Sequence, residues 1–160
     1  MDLIAAVYAD WGLGCHGTQP LVIPADRRHF REITGTSAIL VGRKTLEDFP
    51  GGKPLKNRVN IVLTHRDIAI DDAIVVHSLE EARRIAAGYN RCFVAGGASI
   101  YNALLADCER AYLTKIDACP ESDVFLPNLD ALPDWICTDA GELQHHGTIP
   151  YRFMTYERRK

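Results

Sequence analysis

The sequence has no C-x-x-C pair, no internal repeat, no low-complexity tract and no linker-like segment, and its net charge is small. No apolar run approaches the roughly 20 residues that a membrane-spanning helix needs. Each absence excludes a class of protein. The five cysteines (Cys15, Cys92, Cys108, Cys119 and Cys137) are odd in number and scattered. That pattern points to free thiols in a reducing compartment and away from a disulfide framework or a zinc site. An acid at position 2 and a short apolar start lack the basic head of a signal peptide, so a cytoplasmic location is expected. A formal charge of −3 gives no overall pull toward nucleic acid or an acidic membrane surface, and neither is expected as a partner. What remains is ordinary for a globular domain: 47% apolar and 24% charged residues over 160 positions. This length supports one domain, residues 1–160, with a substantial core.

Short apolar runs alternate with helical patterns. Leu3–Tyr8, Ala38–Val41, Val59–Leu63, Ala73–Val76 and Cys92–Ala95 read as strands, with Arg110–Ile116 and Tyr151–Arg158 as late ones. Helices are expected from Pro24, from the Gly42 turn, over Leu79–Ala87, and from Gly97 through Leu105. The alternation predicts an α/β domain: a central mixed, mostly parallel sheet of about eight strands, flanked by about four helices. The last two strands have no helix between them, which places an antiparallel edge at the end of the chain. In such open sheets ligands sit beyond the carboxyl ends of the strands. The loop after Tyr8, the Gly42 turn and the Gly96-Gly97 turn all fall there.

Three segments carry chemistry. In Ile23-Pro24-Ala25-Asp26, Pro24 suits the first helical position, and Asp26, Phe30 and Ile33 recur at i, i+4 and i+7 on one stripe. A carboxylate in line with Phe and Ile points into a cleft or core, where an unpaired charge is costly. An acid favouring the helix dipole is the plain alternative. Gly42-Arg43-Lys44-Thr45 puts two cations and a hydroxyl at a helix start, although it is no Walker A loop. Ala95-Gly96-Gly97-Ala98-Ser99 permits close backbone approach and frees N–H groups for phosphate. Thr64-His65-Arg66 adds further donors at another strand end. Two phosphate cradles in one small domain suggest a dinucleotide. His145-His146 lacks companions at metal-ligand spacing and reads as surface loop. No metal site is expected. Asp48, Asp117 and Asp123 read as loop or cap residues.

Taken in order, these segments resemble the dihydrofolate reductase family from Leu3 to about Arg158. The matching pieces are Leu3-Ile4-Ala5-Ala6, Gly12-Leu13-Gly14, Ile23-Pro24-Ala25-Asp26 with Phe30, and Gly42-Arg43-Lys44-Thr45. They continue with Pro54-Leu55, Arg58, Asn60 to Leu63, Gly96-Gly97 with Tyr101, Tyr112 to Asp117, and Phe125-Leu126-Pro127. The resemblance implies NADPH-dependent reduction of 7,8-dihydrofolate to tetrahydrofolate, which serves one-carbon metabolism and thymidylate synthesis. It also implies binding of antifolate-type small molecules. Asp26 then matches the active-site carboxylate that binds the pterin, and Thr114 its hydrogen-bond partner. Phe30, Phe49 and Leu55 enclose the rings, Arg58 grips the glutamate α-carboxylate, and Ile4, Ala5, Arg27, Ala95 and Tyr101 complete the substrate site. On the cofactor side the resemblance implies Ala6, Leu13 and Gly14 near the nicotinamide. Gly42, Arg43, Lys44 and Thr45 take phosphates, and Leu63, Thr64, His65 and Arg66 surround the 2′-phosphate. Gly96, Gly97, Ala98, Ser99, Ile100 and Tyr101 hold the pyrophosphate and ribose. A monomer is expected.

The chain departs from the family pattern in three places. Pro20-Leu21-Val22 stands where the family usually has Pro-Trp, Ala98 replaces a third glycine, and Ser99 stands where many members carry arginine. A pyrimidinone reductase of riboflavin synthesis, or a non-catalytic NADPH- or folate-binding protein, are the competing readings. Asp26 in its Ile-Pro-Ala-Asp setting, together with Arg58, favours folate, because a ribityl substrate has no glutamate to bind.

Overall fold

A computed structural model describes all 160 residues. The chain opens with β1 (Asp2–Tyr8) and a short β2 (Gly12–Gly14), followed by α1 (Pro24–Thr34), β3 (Ala38–Gly42) and α2 (Arg43–Glu47). Next come β4 (Val59–Leu63), β5 (Ala73–Val76), α3 (Leu79–Ala86), β6 (Cys92–Val94) and α4 (Ala98–Leu104). The remaining strands are β7 (Arg110–Ile116), β8 (Val124–Phe125), β9 (Trp135–Asp139), β10 (Gln144–His146) and β11 (Ile149–Arg158).

One sheet carries the order β10-β11-β7-β1-β6-β3-β4-β5, with β9 also paired to β11. β1 runs parallel to both β6 and β7, and β3 runs parallel to β6 and β4. These central strands are apolar on both faces, as a sheet covered on both sides requires. Alternation along β1 and β3 separates two cores. Leu3, Leu40, Ile61, Val94 and Leu113 face α3 and α4, joining Ala82, Ala86, Ile100 and Leu104. Ile4, Ile39 and Phe93 point the other way and receive Phe30 and Ile33 of α1. α2 seats Leu46 on Val41 and Val62. The antiparallel edge is β11 on β7, with Tyr151 opposite Ile116 and Glu157 opposite Arg110.

The expected architecture is present, with differences at its periphery. β2 pairs with β8 as a separate two-stranded ribbon, and β9 and β10 line the outer side of β11. None of these strands carries a strong apolar period, and β10 is fully exposed, so tertiary pairing and not local pattern creates them. His145-His146 therefore lies in a strand, not a loop. α3 ends one residue early, at Ala86, and α4 stops at Leu104 before a 3₁₀ turn over Leu105–Asp107.

Candidate active site

Asp26 is set by the start of α1. Ile23 precedes the helix in an extended conformation without a side-chain cap, Pro24 follows, and the Asp26 N–H donates to Ile23 O at 2.9 Å. Phe30 and Ile33, one and two turns on, pack against Ile4, Ile39 and Phe93. That packing turns Asp26 toward the sheet, where Thr114 Oγ1 of β7 donates to Asp26 Oδ1. Burial pushes the Asp26 carboxyl above its usual range, against the Thr114 hydrogen bond and the nearby His29 and Arg27 charges. The imidazole of His29 itself stacks on Phe153 at 3.9 Å, and burial lowers its pKa.

Asp26 lies on the wall of a cavity of about 150 Å³, with Ile4, Ala5, Ala6, Gln19, Phe30, Ala95 and Tyr101. A space of that size suits a planar ring system, being smaller than the several hundred Å³ typical of whole-ligand pockets. Tyr101 closes one side by donating its hydroxyl to Ile4 O at 2.7 Å. Burial, and secondarily the Asp26 charge, raise its phenol far above the ordinary range. Every cavity residue was expected from sequence except Gln19, whose Nε2 donates to Ala6 O at 2.9 Å. Nothing local marks Gln19; it is a polar residue between a glycine-rich loop and Pro20. Leu21 packs into a small cluster with Tyr8, Ile23, Ile116 and Tyr151, so its position offers the cavity no indole N–H.

Arg58 lies beyond the far end of α1. Its Nε donates to Thr34 Oγ1 at 2.9 Å, one terminal nitrogen to Lys56 O at 2.9 Å, and the other to Arg31 O at 3.0 Å. Guanidinium has five N–H donors, so one remains on each terminal nitrogen, a fork matched to carboxylate. Burial and the Arg31 charge lower its pKa, yet guanidinium stays protonated. Thr34 is buried and donates its own hydroxyl to Phe30 O at 2.8 Å. Phe49 and Leu55 are half-buried against the Ile4–Ile39–Phe93 cluster with Phe30. Asn60 fixes the approach to Arg58 by bonding both backbone groups of Leu55. Arg27 is exposed on α1 beside Asp26.

Strands β6, β3 and β4 are neighbours, so their carboxyl ends bring the three polar turns together. The Gly42 N–H donates to Gly96 O at 2.8 Å. Gly96 has φ +123°, and a Cβ there would lie 3.4 Å from both the Thr45 side chain and Tyr101 Oη. At Gly97 a Cβ would stand 3.3 Å from Thr45 Oγ1, and at Gly42 it would meet Ile100 at 3.5 Å. Gly42, Thr45, Gly96, Gly97 and Ile100 thus converge, with Ala98 opening α4 and Ser99 exposed. Beyond Leu63, Thr64 is buried and its Oγ1 accepts the Arg66 N–H at 3.1 Å. His77, which the sequence did not flag, sits with Nδ1 2.9 Å from Thr64 O. His65, Arg66 and Lys44 are exposed and outside all four ion pairs, whereas Arg43 pairs with Glu47. Leu13 and Gly14 lie on β2, and Gly14 is held at φ +129° where a side chain would strike Thr18 O.

A sequence profile described as dihydrofolate reductase matches residues 1–158. A dihydrofolate reductase of Bacillus subtilis (strain 168) is 34% identical over 162 residues, covering 99% of this chain and 95% of the relative. One from Heliothis virescens is 31% identical over 179 residues, with 99% and 97% covered. Among solved structures, dihydrofolate reductase from Enterococcus faecalis complexed with NADP(H) and RAB-propyl superimposes with a TM-score of 0.86 at 30% identity. The overlap covers 99% of this chain and 96% of that one.

Proposed function

This chain belongs to the dihydrofolate reductase family and reduces 7,8-dihydrofolate to 5,6,7,8-tetrahydrofolate with NADPH, and on that premise we propose how its residues divide the work. Asp26 carries the reading: it is a carboxylate on the cavity wall, oriented by Thr114, on the apolar stripe of α1. It binds the pterin's amino group and adjacent ring nitrogen bidentately. In doing so it orients the ring and stabilises positive charge developing at N5. It does not reach N5 itself; solvent admitted beside the turn after β2 delivers that proton. Phe30, Phe49 and Leu55 exclude water from the rings, Ile4, Ala5, Ala95 and Tyr101 shape the wall, and the free fork of Arg58 takes the glutamate α-carboxylate. Arg27, beside Asp26 on α1, completes the substrate site.

The residues present fit NADPH. Gly96 and Gly97 leave a backbone cradle opposite Thr45 that side chains would fill, and Lys44 and Arg66 are cations outside every ion pair at adjacent strand ends, with the His65 imidazole exposed beside Arg66. Gly42, Arg43, Lys44 and Thr45 hold phosphate on one side, with Gly96, Gly97, Ala98, Ser99, Ile100 and Tyr101 on the other. Leu63, Thr64, His65 and Arg66 surround the 2′-phosphate, while Ala6, Leu13 and Gly14 border the nicotinamide. The chemistry NADPH supplies when bound is the hydride delivered to pterin C6.

We also propose that residues 1–160 act as one domain and as a monomer, in the cytoplasm and without a nucleic-acid partner. Five free cysteines support a reducing compartment, and no helix is long and apolar enough to cross a membrane. The decisive experiment follows NADPH absorbance with dihydrofolate and, separately, with the riboflavin-pathway pyrimidinone. Consumption with dihydrofolate alone is expected; consumption with the pyrimidinone alone, or with neither, overturns the assignment.

A further inference from the structure

A second set of donors gathers outside the cavity. After β2 the chain makes a four-residue turn in which Cys15 and Thr18 exchange both backbone hydrogen bonds, at 2.9 and 3.1 Å. This turn is fastened to the segment leading into β8. The Asp123 N–H donates to Gly14 O at 2.9 Å, Ser122 Oγ accepts the Gly14 N–H at 3.3 Å, and Asp123 Oδ2 accepts the His16 N–H at 3.0 Å. The pairing places a thiol, an imidazole and a carboxylate together, with the ligand atoms of Cys15, His16 and Asp123 all within 4.8 Å of one another. Cys15 is half-buried, and His16 and Asp123 are exposed, so an ion reaches them from solvent. Sequence spacing hid the set, because Asp123 lies 107 residues from His16.

One sulfur, one nitrogen and one oxygen form a donor set for a borderline cation, not for calcium or magnesium, which take oxygen shells. Zinc binds these three groups at about 2.0–2.3 Å in a tetrahedron, which sets donor separations of about 3.3–3.8 Å. The widest pair therefore closes by at most about an ångström, a side-chain movement. Water completes the fourth position.

We propose that Cys15, His16 and Asp123 form a site for zinc(II) that locks the turn after β2 onto the segment before β8. Binding is coordination only: the thiol coordinates as thiolate and its proton passes to solvent. The lock bears on turnover through position. Gln19, one residue past the turn, has its amide on Ala6 O inside the cavity. An ion at the cluster restrains the turn that carries Gln19 on the cavity wall, so zinc slows steady-state turnover without destroying the site.

The test uses cobalt(II), a spectroscopic stand-in for zinc, on the reduced full chain carrying Cys119→Ser to remove a competing exposed thiol. One equivalent is expected to give a thiolate-to-cobalt charge-transfer band with tetrahedral visible bands, both displaced by zinc. Cys15→Ser removes the charge-transfer band. His16→Asn, which tolerates the positive φ of 52° at that position, and Asp123→Asn each weaken zinc binding tenfold or more. Zinc slows the parent severalfold and leaves Cys15→Ser unchanged, while without zinc the two turn over alike. Absence of the charge-transfer band, its survival in Cys15→Ser, or parent-like zinc affinity in the other two variants overturns the site. Equal slowing of parent and Cys15→Ser, or no slowing of the parent, overturns the lock. The spectra need no folate, so they fail or succeed independently of the reductase reading.

Discussion

Asp26→Asn separates charge from shape, because Asn Oδ1 still accepts from Thr114. Loss of the anion removes stabilisation realised as N5 gains its proton, so dihydrofolate turnover at neutral pH is expected to fall about 10²–10³-fold. NADPH affinity stays unchanged. Stopped-flow hydride transfer checks this, and the loss should shrink at low pH, where substrate protonated in solution needs less help. The same substitution has an opposite effect on stability. Burial raises the folded-state pKa of Asp26, so the fold disfavours the ionised form relative to the unfolded chain. That penalty is present above the folded pKa and fades as pH falls through it. Asp26→Asn should therefore melt higher than the parent at neutral pH, and the advantage should vanish on acidification. At the other end of α1, Arg58→Leu removes a charged two-point contact worth about 1.5–3 kcal/mol, or about 10–150-fold. Equilibrium titration should show that loss for glutamate-bearing ligands and little change for small diaminopyrimidines.

At the scale of elements, what was legible was what local pattern dictates. The i, i+4, i+7 stripe of Asp26, Phe30 and Ile33 located the helix and its carboxylate, and the apolar runs of β1, β3, β4 and β6 located the buried strands. The glycines at 42, 96 and 97 marked turns at the ligand-binding ends of the strands, and the structure brings those turns together. Gln19 was not legible, because its hydrogen bond to Ala6 O depends on how the turn after β2 folds back over β1. The β2–β8 ribbon was hidden for the same reason: three residues of Gly-Leu-Gly acquire a strand only by pairing with a segment far along the chain. The Gln19 contact has a measurable consequence. A primary amide already satisfies the carbonyl of Ala6, a residue proposed to border the nicotinamide, whose own carboxamide would compete for it. Removing the Gln19 amide should strengthen NADPH binding. For a hydrogen bond of about 0.5–1.5 kcal/mol, Gln19→Ala is expected to lower the Kd about two- to twelvefold, read by quenching of intrinsic fluorescence.

Across the whole molecule, the electrostatics favour a phosphorylated cofactor even though the net charge is negative. Lys44, His65 and Arg66 gather at the ends of β3 and β4 without acidic partners, whereas Arg43 is shared with Glu47. A 2′-phosphate carries nearly two negative charges, and an unphosphorylated ribose leaves Lys44 and Arg66 without an anion to pair with. NADPH should be preferred over NADH by about ten- to several-hundred-fold in kcat/KM, equivalent to about 1.4–3.5 kcal/mol. Ser99 adds no charge to this grip. Because the cations are exposed, the gap should narrow as salt rises, and measuring both cofactors at low and high ionic strength tests it.

The pairing of β11 reaches beyond catalysis. Seven of its residues pair with β7, and its outer side is divided between β10, three residues long, and β9, five residues long. The opposite border of the sheet is β5, of four residues. Neither border presents a long row of unpaired N–H and C=O groups on which another chain can add a strand. The one strand long enough to act as such a template is enclosed on both sides. Self-association by edge-to-edge strand addition is thereby blocked in the folded state and requires β9 and β10 to peel away first, so resistance to aggregation rests on two short strands that line no part of the active site.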